Sequence, residues 1–215
     1  MKSVTATGKT VEEAVKKVVN EYALQDDEYE VNVIEKGSKG FLGMFSKEAE
    51  VEVVFKKNYF ERKLSEFLKV ILEKAKGVEL VSIRSDGKTY FVSIDGPEIG
   101  KLIGKHGKTL GALQHILSIF LNRLSDVKLN VVIDAGNYRE RRKKQLEIIA
   151  KDAIRHVLKN KDKVVLDPMF PFERRIVHEI VKRYRGVTSY SVGVEPYRRV
   201  VIEYSMGKAR RGVKK

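Results

Sequence analysis

Two glycines that flank a lysine and a histidine interrupt an apolar stretch near the middle of the chain. The segment 99–113 reads IGKLIGKHGKTLGAL, and Gly104, Lys105, His106 and Gly107 form its loop. Glycine lets the backbone adopt dihedral angles that other residues avoid and approach a ligand closely. Apolar residues recur at helical spacing on both sides, so a second helix begins at the loop and directs its free amides outward. This arrangement favours binding of a phosphate group.

Lysines on both sides of the loop add positive charge. The candidate binding residues of this region, called the glycine loop below, are Lys101, Gly104, Lys105, His106, Gly107 and Lys108. Lys101 and Lys108 are included for their charge and position. No carboxylate or second histidine stands at a useful spacing from His106, so we interpret it as a residue that contacts the ligand backbone, not as a catalytic base or metal ligand.

A nucleotide-binding P-loop is the competing interpretation, because Gly107-Lys108-Thr109 matches the end of the pattern G-x-x-x-x-G-K-[ST]. That pattern requires a glycine where this chain has Leu102, and it follows a strand. The segment before the loop is short and has helical spacing. The sequence therefore favours a nucleic-acid backbone over a nucleotide as the ligand.

Basic residues also recur at helical spacing in the last third of the chain. The stretch FERRIVHEIVKRYRG predicts a helix on which Arg174, His178, Lys182 and Arg185 share one face, at about 100° per residue. Arg174 and His178 are one turn apart and can hold one phosphate between a guanidinium and an imidazole. An ordinary solvated charged face is the alternative.

A predicted hairpin after this helix combines basic with aromatic residues. Arg198 and Arg199 lie at its mouth, near Tyr190, Tyr197 and Tyr204. Cations pair with the phosphate backbone and rings stack on bases, so the combination suits single-stranded nucleic acid. The candidate binding residues of this region are Arg174, Arg175, His178, Lys182, Arg185, Arg198 and Arg199.

The positive charge of the chain is concentrated at the same end. Of the formal net charge of +14, residues 136–215 carry +13, residues 58–135 carry +3 and residues 1–57 carry −2. This distribution fits an anionic polymer such as RNA or DNA, with an anionic membrane as the competing partner. No apolar stretch reaches the length of a spanning helix, about 18 residues, and the N-terminus lacks the apolar core of a signal peptide. We therefore expect a cytoplasmic protein.

Cysteine is absent from the chain, and its four histidines are scattered. Disulfides, cysteine-based zinc sites and thiol nucleophiles are therefore excluded, and no metal-ligand cluster is predicted. We expect no metal, no cofactor and no catalytic residue.

The elements that must position these residues fall into three small modules, which predict an α+β protein. Residues 1–57 have the pattern of a β-α-β-β unit whose helix starts with a capping box at Thr10. The link between its last two strands carries Phe41, Leu42 and Phe45. These apolar side chains either fold back over the small sheet or dock a partner protein.

The second module, residues 58–135, has the predicted order α-β-β-α-α-β with the glycine loop between the last two helices. This order and the pattern I-G-x-x-I-G-K-x-G-K-x-L resemble a KH domain of the type II topology over residues 59–134. The resemblance implies that the loop, Gly104 to Gly107, holds the backbone of a single strand of about four nucleotides while the bases lie in an adjoining apolar groove.

The third module, residues 136–205, is predicted as a long helix, a short strand, the basic helix and the hairpin. Its stretch D-P-M-x-P-x-E-R-R-I-V-H is similar to the R-three-H domain family, named for an Arg and a His with three residues between them. The similarity covers residues 137–205 and implies binding of single-stranded nucleic acid. Residues 206–215 form a basic tail that we expect to be disordered.

The order of the three modules resembles the Jag family of bacterial RNA-binding proteins over nearly the whole chain. The resemblance implies a non-enzymatic RNA chaperone or post-transcriptional regulator linked to cell elongation, cell-wall homeostasis or sporulation. Single-stranded RNA is the implied ligand, with single-stranded DNA left open, and a small KH-domain protein or a second copy of the chain is the implied partner. Many relatives carry a long linker where this chain has only residues 56–59.

An assembly adaptor is the competing hypothesis. In it the N-terminal module docks a membrane-associated or cell-wall partner through Phe41, Leu42 and Phe45, and nucleic-acid binding is secondary.

Overall fold

The computed structural model describes residues 2–38 and 47–205 and divides the chain into two compact units, Met1–Gly136 and Asn137–Lys215. Helices and sheets alternate in both units, and the predicted α+β arrangement is confirmed. Among the described residues, no helix combines the length and apolar character that crossing a bilayer requires. Nor do these residues bring together three or more His, Asp or Glu side chains as a metal site would.

The first unit begins with a three-stranded antiparallel sheet covered by one helix. Its elements are β1 (Ser3–Gly8), α1 (Val11–Tyr22), β2 (Tyr29–Glu35) and β3 (Ala49–Phe55), with the strand order β1-β3-β2. The predicted cap at Thr10 is confirmed, because Thr10 Oγ1 accepts from the Glu13 N–H. The reciprocal bond differs from that of a capping box, because Glu13 Oε2 accepts from the N–H of Lys9, the residue before the cap. α1 packs on β1 and β3, so that alternate side chains of central β3 are fully buried.

The rest of the first unit has the predicted order α-β-β-α-α-β. Its elements are α2 (Lys57–Ala75), β4 (Glu79–Asp86), β5 (Thr89–Asp95), α3 (Ile99–Ile103), α4 (Lys108–Leu124) and β6 (Asn130–Ala135). β5 is the central strand, antiparallel to β4 and parallel to β6. α2 packs on β4 and α4 packs on β6, and the two helices also contact each other. This layer supports the short α3 and the glycine loop.

The alternation of residues 127–133 predicts a strand that begins at residue 127, but β6 begins only at Asn130. The side chain of Asn122 explains the difference, because its Nδ2 donates to the Leu129 carbonyl at 2.7 Å and its Oδ1 accepts from the Leu129 N–H at 2.9 Å. Both backbone groups of Leu129 are therefore bonded to a helix side chain. Pairing with β5 starts only at Asn130, opposite Thr89.

The N-terminal sheet and α2 are joined by an ion pair and by aromatic rings. The Arg62 guanidinium donates to both carboxylate oxygens of the buried Glu28, at 2.5 and 2.7 Å. The rings of Phe55, Tyr59 and Phe60 form two successive edge-to-face pairs across the start of α2. The module boundary that the sequence predicts at this point therefore lies inside one compact unit.

The second unit contains a three-stranded antiparallel sheet and two helices. Its elements are α5 (Tyr138–Asn160), β7 (Lys163–Pro168), α6 (Pro171–Val181), β8 (Val187–Val192) and β9 (Arg199–Tyr204), with the strand order β7-β9-β8. The core is built from both helices and the sheet, and it includes Leu146, Ile154, Val157, Val177, Val200 and Ile202. The predicted order of helix, strand, helix and hairpin is confirmed.

The basic helix of this unit is shorter than the sequence predicts. The expectation that one helix carries both Arg174 and Arg185 is wrong, because α6 ends at Val181. The N–H groups of residues 183 and 184 then donate to carbonyl groups three residues earlier, a tighter geometry than that of the α-helix. Arg185 therefore lies in a turn, residues 182–186.

Candidate nucleic-acid interface

Backbone geometry explains why glycine occupies both positions 104 and 107 of the glycine loop. Gly104 has a φ of +69° and Gly107 a φ of +78°, in the region that L side chains avoid. A Cβ at Gly104 would lie 2.1 Å from Oγ1 and 3.1 Å from the backbone nitrogen of Thr109. The chain makes one turn here, in which the Gly107 N–H donates to the Gly104 carbonyl at 3.2 Å and His106 has a φ of +56°. A side chain at position 104 is therefore incompatible with this start of α4.

The side chains of the glycine loop differ in exposure. Lys101, Lys105 and Lys108 are exposed, whereas His106 is half-buried. Lys101 forms an ion pair with Glu98, with 2.9 Å between Nζ and Oε2. Within the described part of the chain no side chain caps α4, so its first N–H groups and partial positive charge lie at the loop. The loop thus presents lysines and a helix N-terminus to an anion.

The elements around the glycine loop differ from those of a P-loop. The helix α3 directly precedes the loop, whereas a P-loop follows a strand. Leu102, at the position where the P-loop pattern has its first glycine, is a half-buried residue of this helix. The nucleotide-binding interpretation therefore lacks both its motif and its structural context.

A groove of about 1400 Å³ lies in the second unit, between α6, the turn 182–186 and β8. Six of the seven candidate residues of this region line it, namely Arg174, Arg175, His178, Lys182, Arg185 and Arg198. Arg199 does not line it; this residue is half-buried in β9 and pairs with Val192 of β8. The fold thus collects cations from a helix, a turn and a hairpin onto one concave surface, called the basic groove below.

The basic groove also contains residues that the sequence interpretation missed. Arg183 and Tyr184 come from the turn, and three hydroxyl side chains, those of Thr188, Ser189 and Ser191, come from β8. The turn residues were missed because a continuous helix would have placed them elsewhere. Strand alternation could have identified Ser189 and Ser191 together, because residues two apart in a strand share one face.

Arg174 forms an inner wall of the basic groove. Only 7% of it is exposed, and its Nη1 donates to the Met169 carbonyl at 2.8 Å while its Nη2 donates to Glu195 Oε1 at 2.6 Å. A buried guanidinium requires such partners, because an unpaired buried charge is costly. Arg174 therefore connects the start of α6 to the β8–β9 loop, and its contact with a phosphate stays a prediction.

His178 connects α6 to β8. Its Nδ1 lies 2.7 Å from Ser189 Oγ and its Nε2 lies 2.9 Å from Ser191 Oγ. Burial lowers the pKa of His178 because it disfavours the charged ring, and the positive charges of Lys182 and Arg174 lower the pKa further. The lowered pKa favours the uncharged ring, which links the two elements through these two contacts. The joint grip of one phosphate by Arg174 and His178 stays a prediction.

The outer parts of the basic groove carry the charge that a ligand can reach. Arg175, Arg185 and Arg198 are exposed, and none of them forms an ion pair with another residue that the structure describes. Tyr184 and Tyr190 expose 39% and 42% of their surface beside them. The groove therefore combines accessible cations with accessible rings.

Some predicted residues lie outside the described parts of the chain. Phe41, Leu42 and Phe45 belong to residues 39–46, so the choice between folding back and docking a partner stays a prediction. The basic tail, residues 206–215, is likewise outside the described residues.

Three protein families match the chain in the order of its modules. The family described as Jag N-terminus matches residues 6–55, and the family described as KhpA/KhpB, KH domain matches residues 61–133. The R-three-H domain family matches residues 144–204. The glycine loop lies within the second match and the basic groove within the third, apart from Ser205 at its border.

Similar proteins from several bacteria carry one name. The RNA-binding protein KhpB of Clostridium symbiosum is 39% identical over 204 residues, which cover 94% of this chain and 91% of that protein. The RNA-binding protein KhpB of Bacillus subtilis is 36% identical over 206 residues, 95% of this chain and 99% of that protein. The protein of the same name from Lactiplantibacillus plantarum is 39% identical over 52% of this chain and 34% of its own length.

Proposed function

Because the chain belongs to the KhpB family of RNA-binding proteins and carries the Jag N-terminus domain, we propose that it binds single-stranded RNA without catalysing a reaction. The proposal assigns one RNA contact to the glycine loop of residues 58–135 and a second to the basic groove of residues 136–205. Residues 1–57 are assigned to protein contacts.

The basic groove is the observation that carries this proposal. Arg175, Arg185 and Arg198 converge on one surface from three elements, without ion pairs to other described residues. Arginine forms paired hydrogen bonds with phosphate oxygens, so several phosphates can be held together. Hydroxyl groups of β8 add donors that suit the sugar and phosphate oxygens.

A preference for single strands follows from the rings in the same groove. Tyr184 and Tyr190 are partly exposed, and stacking on aromatic side chains requires bases that are not already paired within a duplex. Stacking tolerates different bases, so we expect little sequence preference from this surface.

The two contacts act together because they lie on one chain. Once one surface holds an RNA strand, the other meets the same strand at a high effective concentration. The affinity should also fall steeply with salt, because each neutralised phosphate releases counterions.

The biological role that we propose is that of an RNA chaperone or post-transcriptional regulator, for which the family resemblance suggests cell elongation, cell-wall homeostasis or sporulation. A cytoplasmic location of the protein belongs to the same proposal.

No catalytic step is assigned to the chain. Incubation of the protein with nucleoside triphosphates and magnesium should therefore release no phosphate above background.

Fluorescence anisotropy with a labelled single-stranded RNA tests the two contacts in the full chain. The groove variant is Arg185→Glu with Arg198→Glu, and its charge-matched control is Lys151→Glu with Lys159→Glu, two exposed positions of α5 outside the groove lining. We expect the groove variant to lose at least about tenfold in affinity. The slope of log affinity against log salt concentration should become less steep by about 0.7 per lost phosphate contact.

The glycine loop is tested in the same way with Lys105→Asp and His106→Asp, against Lys16→Asp on the exposed face of α1. We expect the loop variant to bind more weakly than this control. Wild-type affinity in both the groove variant and the loop variant would overturn the proposal. A duplex RNA and a single-stranded DNA of the same sequence measure the preference for single strands and for RNA.

The edge strand of the N-terminal sheet favours a second candidate function, the assembly adaptor. β2 is an outer strand, and Val33 and Ile34 in it are 45% and 58% exposed. Exposed apolar side chains on an edge strand suit contact with another protein. The variant Val33→Ser with Ile34→Ser should keep wild-type RNA affinity but no longer bind the partner protein of the adaptor hypothesis. Reduced RNA affinity would contradict this assignment.

A further inference from the structure

An aromatic side chain that packing does not explain stands at the start of α6. Phe172 is 52% exposed in the first turn of that helix. Its ring lies within 11° of parallel to the ring of Phe170, with 5.9 Å between the ring centroids. Phe170 is half-buried. Because about half of Phe172 is exposed, much of its side chain is open to a third planar group.

The backbone under this pair is held by hydrogen bonds. The Phe170 N–H donates to Glu173 Oε2 at 2.8 Å, and the other carboxylate oxygen of the buried Glu173 accepts from Arg142 Nε at 2.7 Å. The Phe170 carbonyl accepts from the Arg174 N–H at 3.0 Å. A ring pair on such a fixed backbone loses little conformational entropy when a ligand binds.

The position of the pair connects it to the basic groove. Arg175 follows Phe172 by three residues on α6, so the two side chains are neighbours on one helix face. Arg175 lines the basic groove and is exposed, whereas Phe172 is outside the groove lining. A phosphate held by Arg175 would thus bring the adjoining nucleotide to Phe172.

We propose that Phe172 is a base-stacking position, at which a nucleobase of the RNA strand leaving the basic groove stacks on the Phe170–Phe172 pair. This inference rests on the proposed RNA binding of the groove and extends its surface by one nucleotide. Every base has an aromatic face, so the position accepts all four bases, with purines favoured for their larger ring area.

The test compares four variants of the full chain by fluorescence anisotropy with a single-stranded RNA. Phe172→Ala removes the ring, Phe172→Leu keeps an apolar side chain without a ring, and Phe172→Tyr keeps the ring. Ile148→Ala removes an apolar side chain of similar exposure, 61%, from α5 and is the matched control. We expect Phe172→Ala and Phe172→Leu to lose about tenfold in affinity, as stacking on one ring is worth about 1–3 kcal/mol per base, and Phe172→Tyr to bind nearly as the wild type.

An abasic scan of the RNA gives a second readout. Removing one particular base should weaken wild-type binding by a similar factor and have no further effect on Phe172→Ala, because both changes remove the same stack. Thermal unfolding of each variant shows whether the fold is retained.

The outcomes separate this inference from the proposed function. If Phe172→Ala binds like the wild type while the Arg185 and Arg198 variant is impaired, the groove binds RNA and the stacking position is wrong. If Phe172→Leu binds like the wild type, the contact is apolar and stacking is wrong. If the Arg185 and Arg198 variant itself binds normally, the RNA contact assigned to the basic groove is wrong, and the stacking position that rests on it is wrong as well.

Discussion

Arg62 of α2 holds both carboxylate oxygens of Glu28, which stands 34 residues earlier in the chain and is 2% exposed. The same guanidinium donates to Glu66 Oε1 at 2.8 Å and to the carbonyl of Ala23, the residue that follows α1, at 2.9 Å. One side chain of α2 therefore secures the end of α1 and the approach to β2. This contact makes the N-terminal sheet part of the unit that carries the glycine loop.

Removal of the buried carboxylate should destabilise this unit. We predict that Glu28→Gln lowers the free energy of unfolding by about 3 kcal/mol, because it leaves Arg62 without its buried counter-charge. Glu30→Gln is the control, because Glu30 is 70% exposed and its ion pair with Lys56 should contribute less than about 1 kcal/mol. Urea denaturation measures both values, and equal losses would contradict the prediction.

The two glycines of the segment IGKLIG should respond oppositely to alanine. We predict that Gly104→Ala lowers the free energy of unfolding by about 1–3 kcal/mol and weakens RNA binding, because of the positive φ and the clash with Thr109. Gly100→Ala should be neutral or stabilising, since Gly100 lies in α3 and, apart from its neighbours and the backbone of its own helix, no atom lies within 4 Å of the added Cβ. Thermal unfolding of both variants tests this contrast, and similar shifts would count against the loop geometry.

Stability should depend on pH through His178. The ring has an unfolded-state pKa near 6.5 and a lowered pKa in the folded chain, because of burial and of the charges of Lys182 and Arg174. The unfolded chain therefore binds the proton more readily, so the stabilisation is complete above pH 6.5 and is lost as the pH falls below it. We predict that His178→Gln reduces the loss of stability between about pH 7.5 and pH 5.5.

Chemical denaturation at several pH values measures this effect. His156→Gln, on the exposed side of α5, is the control for replacing a histidine. If His178→Gln and His156→Gln lose the same stability as the pH falls, then His178, which contacts Ser189 and Ser191, does not set the pH dependence.

The carboxylate of Glu195 should oppose RNA binding. It accepts from Arg174 Nη2 and is 52% exposed beside the basic groove, so it repels phosphates that approach. We predict that Glu195→Gln raises the RNA affinity about two- to threefold at low salt, because an amide oxygen can still accept from Arg174 while the charge is gone. The gain should disappear at high salt.

Anisotropy titrations at low and high salt check this prediction. Asp152→Asn on α5 removes the same charge away from the groove lining and serves as the control. A weaker affinity of Glu195→Gln would mean that the carboxylate is needed to orient Arg174.

The sequence by itself determined the family, the order of the elements and the two regions that carry the candidate binding residues. These features depend on local patterns: apolar spacing defines helices and strands, and Gly104 and Gly107 mark a turn that other residues avoid. Charge is additive along the chain, so the basic C-terminal segment was also evident without a structure.

Only the tertiary structure decided which of those candidate residues are exposed and which hold the fold together. Arg174 meets Glu195 21 residues later, and His178 meets Ser189 and Ser191 on a strand. Such pairings depend on strand register and on where α6 ends, and helical spacing predicts neither. The turn after Val181 moved Arg185 off the helix, and the same turn completes the groove in which the exposed arginines converge.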